Sequence, residues 1–164
     1  MRVINLEQLK SVLASLPDNP RIVASGNFAP PSTLLKLADE TLPQFKLHML
    51  NAMGGIPDRE GITYETAFVG PAMRRNPRLK YAPSRLSLLP VMYRDHFRPD
   101  VVFLHTSLRR FDTVSLGIEV NVLPAAIEIT RVSGLMVCFN SVNTSVKSCG
   151  LTARKITSQL LPIE

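Results

Sequence analysis

The stretch R-I-V-A-S-G-N-F-A-P-P-S-T-L-L-K-L-A-D-E-T-L, residues 21–42, decides the fold expected of this chain. Its first four residues, 21–24, form a short β-branched run that predicts a buried strand. A loop with one glycine and two prolines follows over residues 25–31. Leucines and an alanine then recur at helical spacing over residues 34–42. Strand, tight loop and helix together are the repeating unit of an open α/β sheet.

The loop at residues 25–31 would lie where such sheets bind their ligands, at the carboxyl ends of the strands. Gly26 lets the backbone come close to a ligand, and the start of the following helix favours anions. The alternative is an ordinary turn between strand and helix, which also commonly carries glycine and proline. The fold alone does not decide between these two interpretations.

The rest of the chain extends the same pattern on both sides of this unit. Alternating or continuous apolar runs predict further strands, and apolar residues at helical spacing predict the helices between them. Predicted strands cover residues 45–50, 63–69, 100–105 and 135–139, with an edge or return strand at 114–117; predicted helices cover 6–16, 84–97 and 121–132. The expected fold class is therefore α/β, an open and mostly parallel sheet with flanking helices.

Composition narrows the possible functions. The 164 residues suffice for one domain with a real core, and no apolar run reaches membrane-spanning length. Cys138 and Cys149 are too few for a disulfide framework and have no metal-ligand spacing, so we expect a cytoplasmic protein without a metal. The net charge of +6 permits a nucleic-acid partner. Aromatic residues for stacking on single strands are scarce, which makes that partner the weaker hypothesis.

Three groups of residues are candidates for chemistry. His48 could act as a base, but no partner lies near it in sequence, which favours a histidine packed within a strand. His105 and Thr106 follow the most apolar predicted strand and belong to the same edge as Gly26. Basic residues are densest over residues 74–85, which is either a phosphate-binding patch or a solvated helix face and loop. That basic group consists of Arg74, Arg75, Arg78, Lys80 and Arg85.

Four segments in order resemble the N-terminal domain of the acetyl-CoA hydrolase and acetate (4-hydroxybutyrate) CoA-transferase family. They are V-A-S-G-N-F-A-P-P-S-T-L-L at 23–35, A-F-V-G-P-A-M-R at 67–74, K-Y-A-P-S-R-L-S-L-L-P at 80–90, and P-D-V-V-F-L-H-T-S at 99–107 with V-S-L-G-I-E-V at 114–120. The resemblance implies a CoA-transferase-like (NagB/RpiA-type) domain. It also implies thioester chemistry, in which a glutamate attacks an acyl-CoA and the acyl group passes to a small carboxylate such as acetate or to water. Coenzyme A is then part of a substrate, and no bound cofactor is expected.

The sequence departs from this family in ways that limit what is carried over. The family's attacking glutamate comes from a second domain, so no catalytic residue is assigned here, and Glu119 and Glu128 lie outside the nucleophile motif. Residues 106–113 lack the histidine and glycine of the family's corresponding loop. We expect a CoA-transferase-like domain over residues 1–140 and a divergent, poorly packed tail over residues 141–164. A separate C-terminal domain or a homo-oligomer is a possible partner.

The expected substrate site lies on the loops that follow the predicted strands. Its residues are Gly26, Asn27, Phe28, Ala29, Gly54, Gly55 and Gly117. The function expected from the resemblance is the N-terminal half of an enzyme that moves coenzyme A between an acyl-CoA and a small carboxylate. The alternative is a non-catalytic remnant or a CoA-binding module that lacks the nucleophile domain.

Overall fold

A computed structural model describes residues 5–108, 113–130, 135–139 and 147–148 of the chain. Helices and strands alternate along most of this length. In chain order they are α1 (Leu6–Ala14), β1 (Arg21–Ala24), α2 (Ser32–Thr41), β2 (Phe45–His48), β3 (Ile62–Thr66), β4 (Leu79–Tyr81), a 3₁₀ turn (Leu86–Leu88), α3 (Leu89–Asp95), β5 (Val101–His105), α4 (Leu123–Thr130), β6 (Leu135–Phe139) and β7 (Lys147–Ser148).

The described strands form one sheet in the order β4-β3-β2-β1-β5-β6-β7. Neighbouring strands are parallel, except that β7 pairs antiparallel with β6. β1 lies near the middle, where Ile22 is in register with Leu47 on one side and with Val101 on the other. The predicted fold class, an open and mostly parallel α/β sheet with flanking helices, is confirmed.

Helices cover both faces of this sheet, because successive residues of a strand point to opposite sides. Ile22 of β1 packs into a core with buried leucines of α1 and α2, whereas Val23 packs into a second core with residues of α3 and α4. The last three residues of β1 therefore contribute to both cores, Ile22 and Ala24 to the first and Val23 to the second. This explains why the run at 22–24 is apolar without alternation.

Helix α1 begins as its sequence predicts. The Asn5 side chain accepts a hydrogen bond from the Gln8 amide at 2.8 Å, and the Gln8 side chain accepts one from the Asn5 amide at 3.0 Å. This reciprocal pair satisfies two amides that have no partner inside the helix. The helix ends at Ala14, slightly before the predicted residue 16.

Three local predictions were wrong. The basic stretch at 74–85 consists of turns and loop, as one alternative expected, but contains the short strand β4, which pairs with β3, in place of the expected helix face. The helix predicted from residue 84 begins only at Leu89, after a 3₁₀ turn, and Pro90 lies in its first turn, where proline is tolerated. Residues 114–117 form no strand, although the Ser115 carbonyl accepts a hydrogen bond from the Ser107 amide at 2.9 Å.

The tail predicted to be poorly packed, residues 141–164, lies outside the described residues except for Lys147–Ser148 of β7. In the described part of the chain, no helix has the length and apolar character needed to cross a membrane.

His48 is the last residue of β2 and is enclosed between the sheet and α3. Its ring makes an edge-on contact with Tyr93 at 5.2 Å and a tilted contact with Phe97 at 5.8 Å. Neither ring nitrogen has a hydrogen-bond partner among the described residues. Burial, with a smaller contribution from the Arg21 charge, lowers the pKa of His48 to about 4. The geometry agrees with the prediction of a packed strand histidine.

We expect His48 to make the stability of the protein depend on pH. Its pKa is about 4 in the folded chain and about 6.5 in an unfolded chain. The unfolded chain therefore takes up the proton first as the pH falls. Neutral His48 makes its full contribution to the free energy of unfolding above about pH 6.5. By pH 4 this free energy falls by about 3 kcal/mol. Chemical unfolding of wild type and His48→Met at pH 7 and pH 4 measures this.

The exposed His96 supplies the matched control, because His96→Gln should lose as much stability on acidification as wild type. Equal losses in His48→Met and wild type would show that His48 is not held neutral by burial.

Candidate functional site

The carboxyl ends of the parallel strands place several loops along one edge of the sheet, which we call the carboxyl edge. The described residues of the loops after β1, β2, β3 and β5 are 25–31, 49–61, 67–78, and 106–108 with 113–122. From β1 the strand order runs outward to β4 on one side, and β5 and β6 lie on the other. The loops after β1 and β5 therefore flank the point where the order reverses, which is where open α/β sheets bind ligands.

Gly26 is where the loop after β1 meets the loop after β2. A Cβ at this position would overlap the carbonyl oxygen of Leu50. The glycine therefore allows two backbones to approach each other, and Gly26 itself is buried. The sequence predicted that this glycine lets the backbone approach a ligand. In the structure the close approach is to the Leu50 main chain, and the approach to a ligand stays a prediction.

Asn27 extends this junction by a side-chain contact. Its Oδ1 accepts a hydrogen bond from Nδ2 of Asn51 at 2.7 Å. Both asparagines have positive φ, +33° and +50°, a conformation that asparagine tolerates better than most residues. The Asn51 amide in turn donates to the Phe68 carbonyl at 2.9 Å, which joins the loop after β3 to the same group.

Glu119 joins the loop after β5 to the loop after β1. Its Oε1 accepts hydrogen bonds from the amides of Phe28 at 3.0 Å and Ala29 at 3.2 Å. The side chain is almost fully buried, with 1% of its surface exposed. Its other oxygen, Oε2, is also buried and has no hydrogen-bond partner among the described residues. We call the Phe28 and Ala29 amides the amide pair.

Four of the seven predicted site residues, which are consecutive in the chain, contact neighbouring loops. Gly26, Asn27, Phe28 and Ala29 contact the loops after β2 and β5 as described above. Gly54, Gly55 and Gly117 lie on the expected loops but in exposed turns, where an added Cβ would meet nothing within 4 Å. Gly55 and Gly117 have positive φ values of +68° and +61°, so their backbone conformation accounts for the glycine.

Two residues that organise the carboxyl edge, Asn51 and Glu119, were not among the predicted site residues. An asparagine directly after a strand is a known signal for a left-handed turn and could have indicated Asn51. Glu119 is a single carboxylate among the apolar residues of the V-S-L-G-I-E-V segment. A lone carboxylate in an apolar segment could have indicated that Glu119 has a specific role. No local pattern shows that it binds the amides of Phe28 and Ala29.

The other candidates differ in how close they are to this junction. The His105 amide donates to Oγ of Ser25 at 3.4 Å, and Thr106 is buried, so both lie at the carboxyl edge as predicted. Arg74 and Arg75 are exposed on the loop after β3. Arg78 is instead ion-paired with Asp58, so it is not a free member of a phosphate patch.

Large apolar side chains are exposed on the same loops. Phe28 is 78% exposed, Phe68 is 55% exposed and Ile118 is 69% exposed. They belong to the loops after β1, β3 and β5, respectively. Exposed apolar residues at one edge of a domain are typical of a surface that another element covers.

Within the described residues, no three His, Cys, Asp or Glu side chains are grouped closely enough to hold a metal ion.

Comparisons with known proteins identify the fold and no family. No family model matches the sequence, and no curated protein is significantly similar to it. The structure of RipA from Yersinia pestis is similar, with a TM-score of 0.68 and 14% sequence identity over 85% of this chain. A variant of RipA matches with a TM-score of 0.57 and 13% identity over 77% of this chain. The chain spans about a third of RipA's length, 36% and 34% in the two comparisons.

The close approach of the Gly26 and Leu50 backbones predicts a large difference in stability between two glycine-to-alanine variants. Gly26→Ala should destabilise the fold by about 2–3 kcal/mol, because the new methyl group overlaps a main-chain carbonyl that cannot rotate away. Gly54→Ala, in open space at the same edge, should change stability by no more than about 0.5 kcal/mol. Urea unfolding of the two variants beside wild type makes the comparison. Equal stabilities would mean that the backbones of Gly26 and Leu50 do not approach each other this closely in solution.

Proposed function

We propose that this chain is the N-terminal half of an acetyl-CoA hydrolase or CoA-transferase, which moves coenzyme A between an acyl-CoA and a small carboxylate such as acetate. The proposal rests on the resemblance of four sequence segments to that enzyme family. In this proposal the reaction takes place in the cytoplasm, in keeping with a sequence whose two cysteines are too few for a disulfide framework.

The observation that supports the proposal best is the meeting of three of these segments at the carboxyl edge. The segment at 23–35 contributes Gly26 and the amide pair, and the segment at 114–120 contributes Glu119. The segment at 67–74 contributes Gly70, which packs against the backbone of Ala52 in the loop after β2. If these three segments together formed one substrate site, they would have to lie next to each other in the fold although they are tens of residues apart in the chain.

The chemistry available at this edge suits an acyl-CoA. Backbone amides can donate to the oxygen of an acyl group, where negative charge develops when the thioester is attacked. The exposed guanidinium groups of Arg74 and Arg75 match the phosphates of coenzyme A. In this proposal, the attacking glutamate comes from a second domain.

That second domain would also cover the exposed side chains of Phe28, Phe68 and Ile118. A covered site excludes water, which strengthens the hydrogen bonds made to a bound acyl group. The length of RipA, of which this chain spans about a third, is compatible with a further domain.

The purified chain alone should show no CoA-transferase turnover, because covalent catalysis requires the nucleophile itself. Acetyl-CoA and labelled acetate are mixed with the protein, and exchange of the acyl group is followed. Turnover on the order of 1 per second or faster would contradict the assignment of the glutamate to a second domain.

The chain should nevertheless bind acetyl-CoA weakly at the carboxyl edge. We expect a dissociation constant of about 1 mM, roughly −4 kcal/mol, because one wall of the site is missing. NMR titration of labelled protein should shift the amides of residues 26–29 and 54–55. ATP serves as the control, because it carries a comparable set of phosphates without a thioester.

ATP should shift only the amides around Arg74 and Arg75. If acetyl-CoA and ATP produce the same shifts, the ligand follows the basic residues alone and the carboxyl edge is not an acyl-CoA site.

A further inference from the structure

We propose that the amide pair is the binding site for the carboxylate substrate, and that Glu119 is an internal carboxylate which occupies it until the substrate displaces it. The inference rests on the proposed function and specifies which atoms of this chain hold the small carboxylate. It also assigns Glu119 a regulatory role, because the site is closed while its side chain remains in place.

The first argument is the geometry of the amide pair. Two successive N–H groups, those of Phe28 and Ala29, point to one oxygen atom at 3.0 and 3.2 Å. Successive amides that converge on one point form a concave anion site. The occupant in this structure is itself a carboxylate, so the chemistry of the site is already that of carboxylate binding.

The second argument is that Glu119 is an incomplete ligand. Its Oε2 is buried without a hydrogen-bond partner among the described residues. A buried carboxylate oxygen that has left water without gaining a donor raises the free energy of this arrangement. Displacement of Glu119 would return this oxygen to water, so a substrate carboxylate can compete with Glu119 for the amide pair.

The third argument is that Glu119 lies in a turn whose neighbouring residues are exposed. Its neighbours Gly117, Ile118 and Val120 are all exposed, and a Cβ added at Gly117 would meet nothing within 4 Å. Outward rotation of the Glu119 side chain therefore disturbs little packing around its own turn. The amide pair, by contrast, follows Gly26 and Asn27, which are anchored on Leu50 and Asn51.

The experiment uses acetate as the probe and the full chain as the protein. Amide shifts of labelled wild type and Glu119→Ala are followed during titration with sodium acetate, with sodium chloride at equal concentration as the control for ionic strength. In Glu119→Ala, acetate should shift the Phe28 and Ala29 amides saturably. Its affinity should be roughly tenfold or more above that for wild type, where the tethered carboxylate competes.

Glu128→Ala is the matched control variant, because Glu128 is an exposed glutamate on α4. It should behave as wild type. Acetate binding that is equal in all three proteins, or that leaves the Phe28 and Ala29 amides unmoved in Glu119→Ala, would overturn the inference.

Glu119→Gln covers the case in which Glu119→Ala does not fold. The glutamine keeps an oxygen that can accept from the amide pair but carries no charge, so acetate should displace it at lower concentration than it displaces Glu119. Absence of any acetate effect in Glu119→Gln would overturn the inference as well. Since coenzyme A is not used, this failure is distinguishable from failure of acetyl-CoA to bind at the carboxyl edge.

Discussion

The close approach of the Gly26 backbone to the Leu50 carbonyl is the constraint on which the carboxyl edge depends. The Leu50 carbonyl occupies the space that a side chain at Gly26 would need. This contact fixes the start of the loop after β1, and Asn27 then binds Asn51 on the neighbouring loop. The amides of Phe28 and Ala29 follow directly and are bound by the Glu119 side chain. The geometry of the candidate site thus combines backbone packing at Gly26 with the side-chain contacts of Asn27, Asn51 and Glu119.

The sequence predicted the central sheet well and its periphery less well. The strands at Arg21–Ala24 and Val101–His105 were found almost residue for residue, because uninterrupted apolar runs between proline- or glycine-containing turns leave few alternatives. β4 was missed because it has three residues, none of them buried, and includes the charged Lys80. An edge strand of this kind is formed by pairing with β3 and has no periodicity of its own.

The candidate site was predictable as a location but not as a set of contacts. Parallel strands end at one edge, which was enough to place residues 26–29, 54–55 and 117 on neighbouring loops. The contact between Phe28 and Glu119 joins residues 91 positions apart, and that between Asn27 and Asn51 joins residues 24 apart. Such contacts depend on the paths of two loops, and no local pattern in either segment encodes the path of the other.

The position of β1 in the sheet has a consequence for synthesis of the chain. β1 is paired on both sides, and its Arg21 amide is held by Asp100, 79 positions later. While the chain leaves the ribosome, β1 can pair with β2, but its other edge stays open until β5 has emerged. An unpaired apolar strand edge is a template for association with other chains. Among the strands that are paired on both sides in the finished sheet, β1 is therefore the one whose edge stays open longest during synthesis of the described part of the chain.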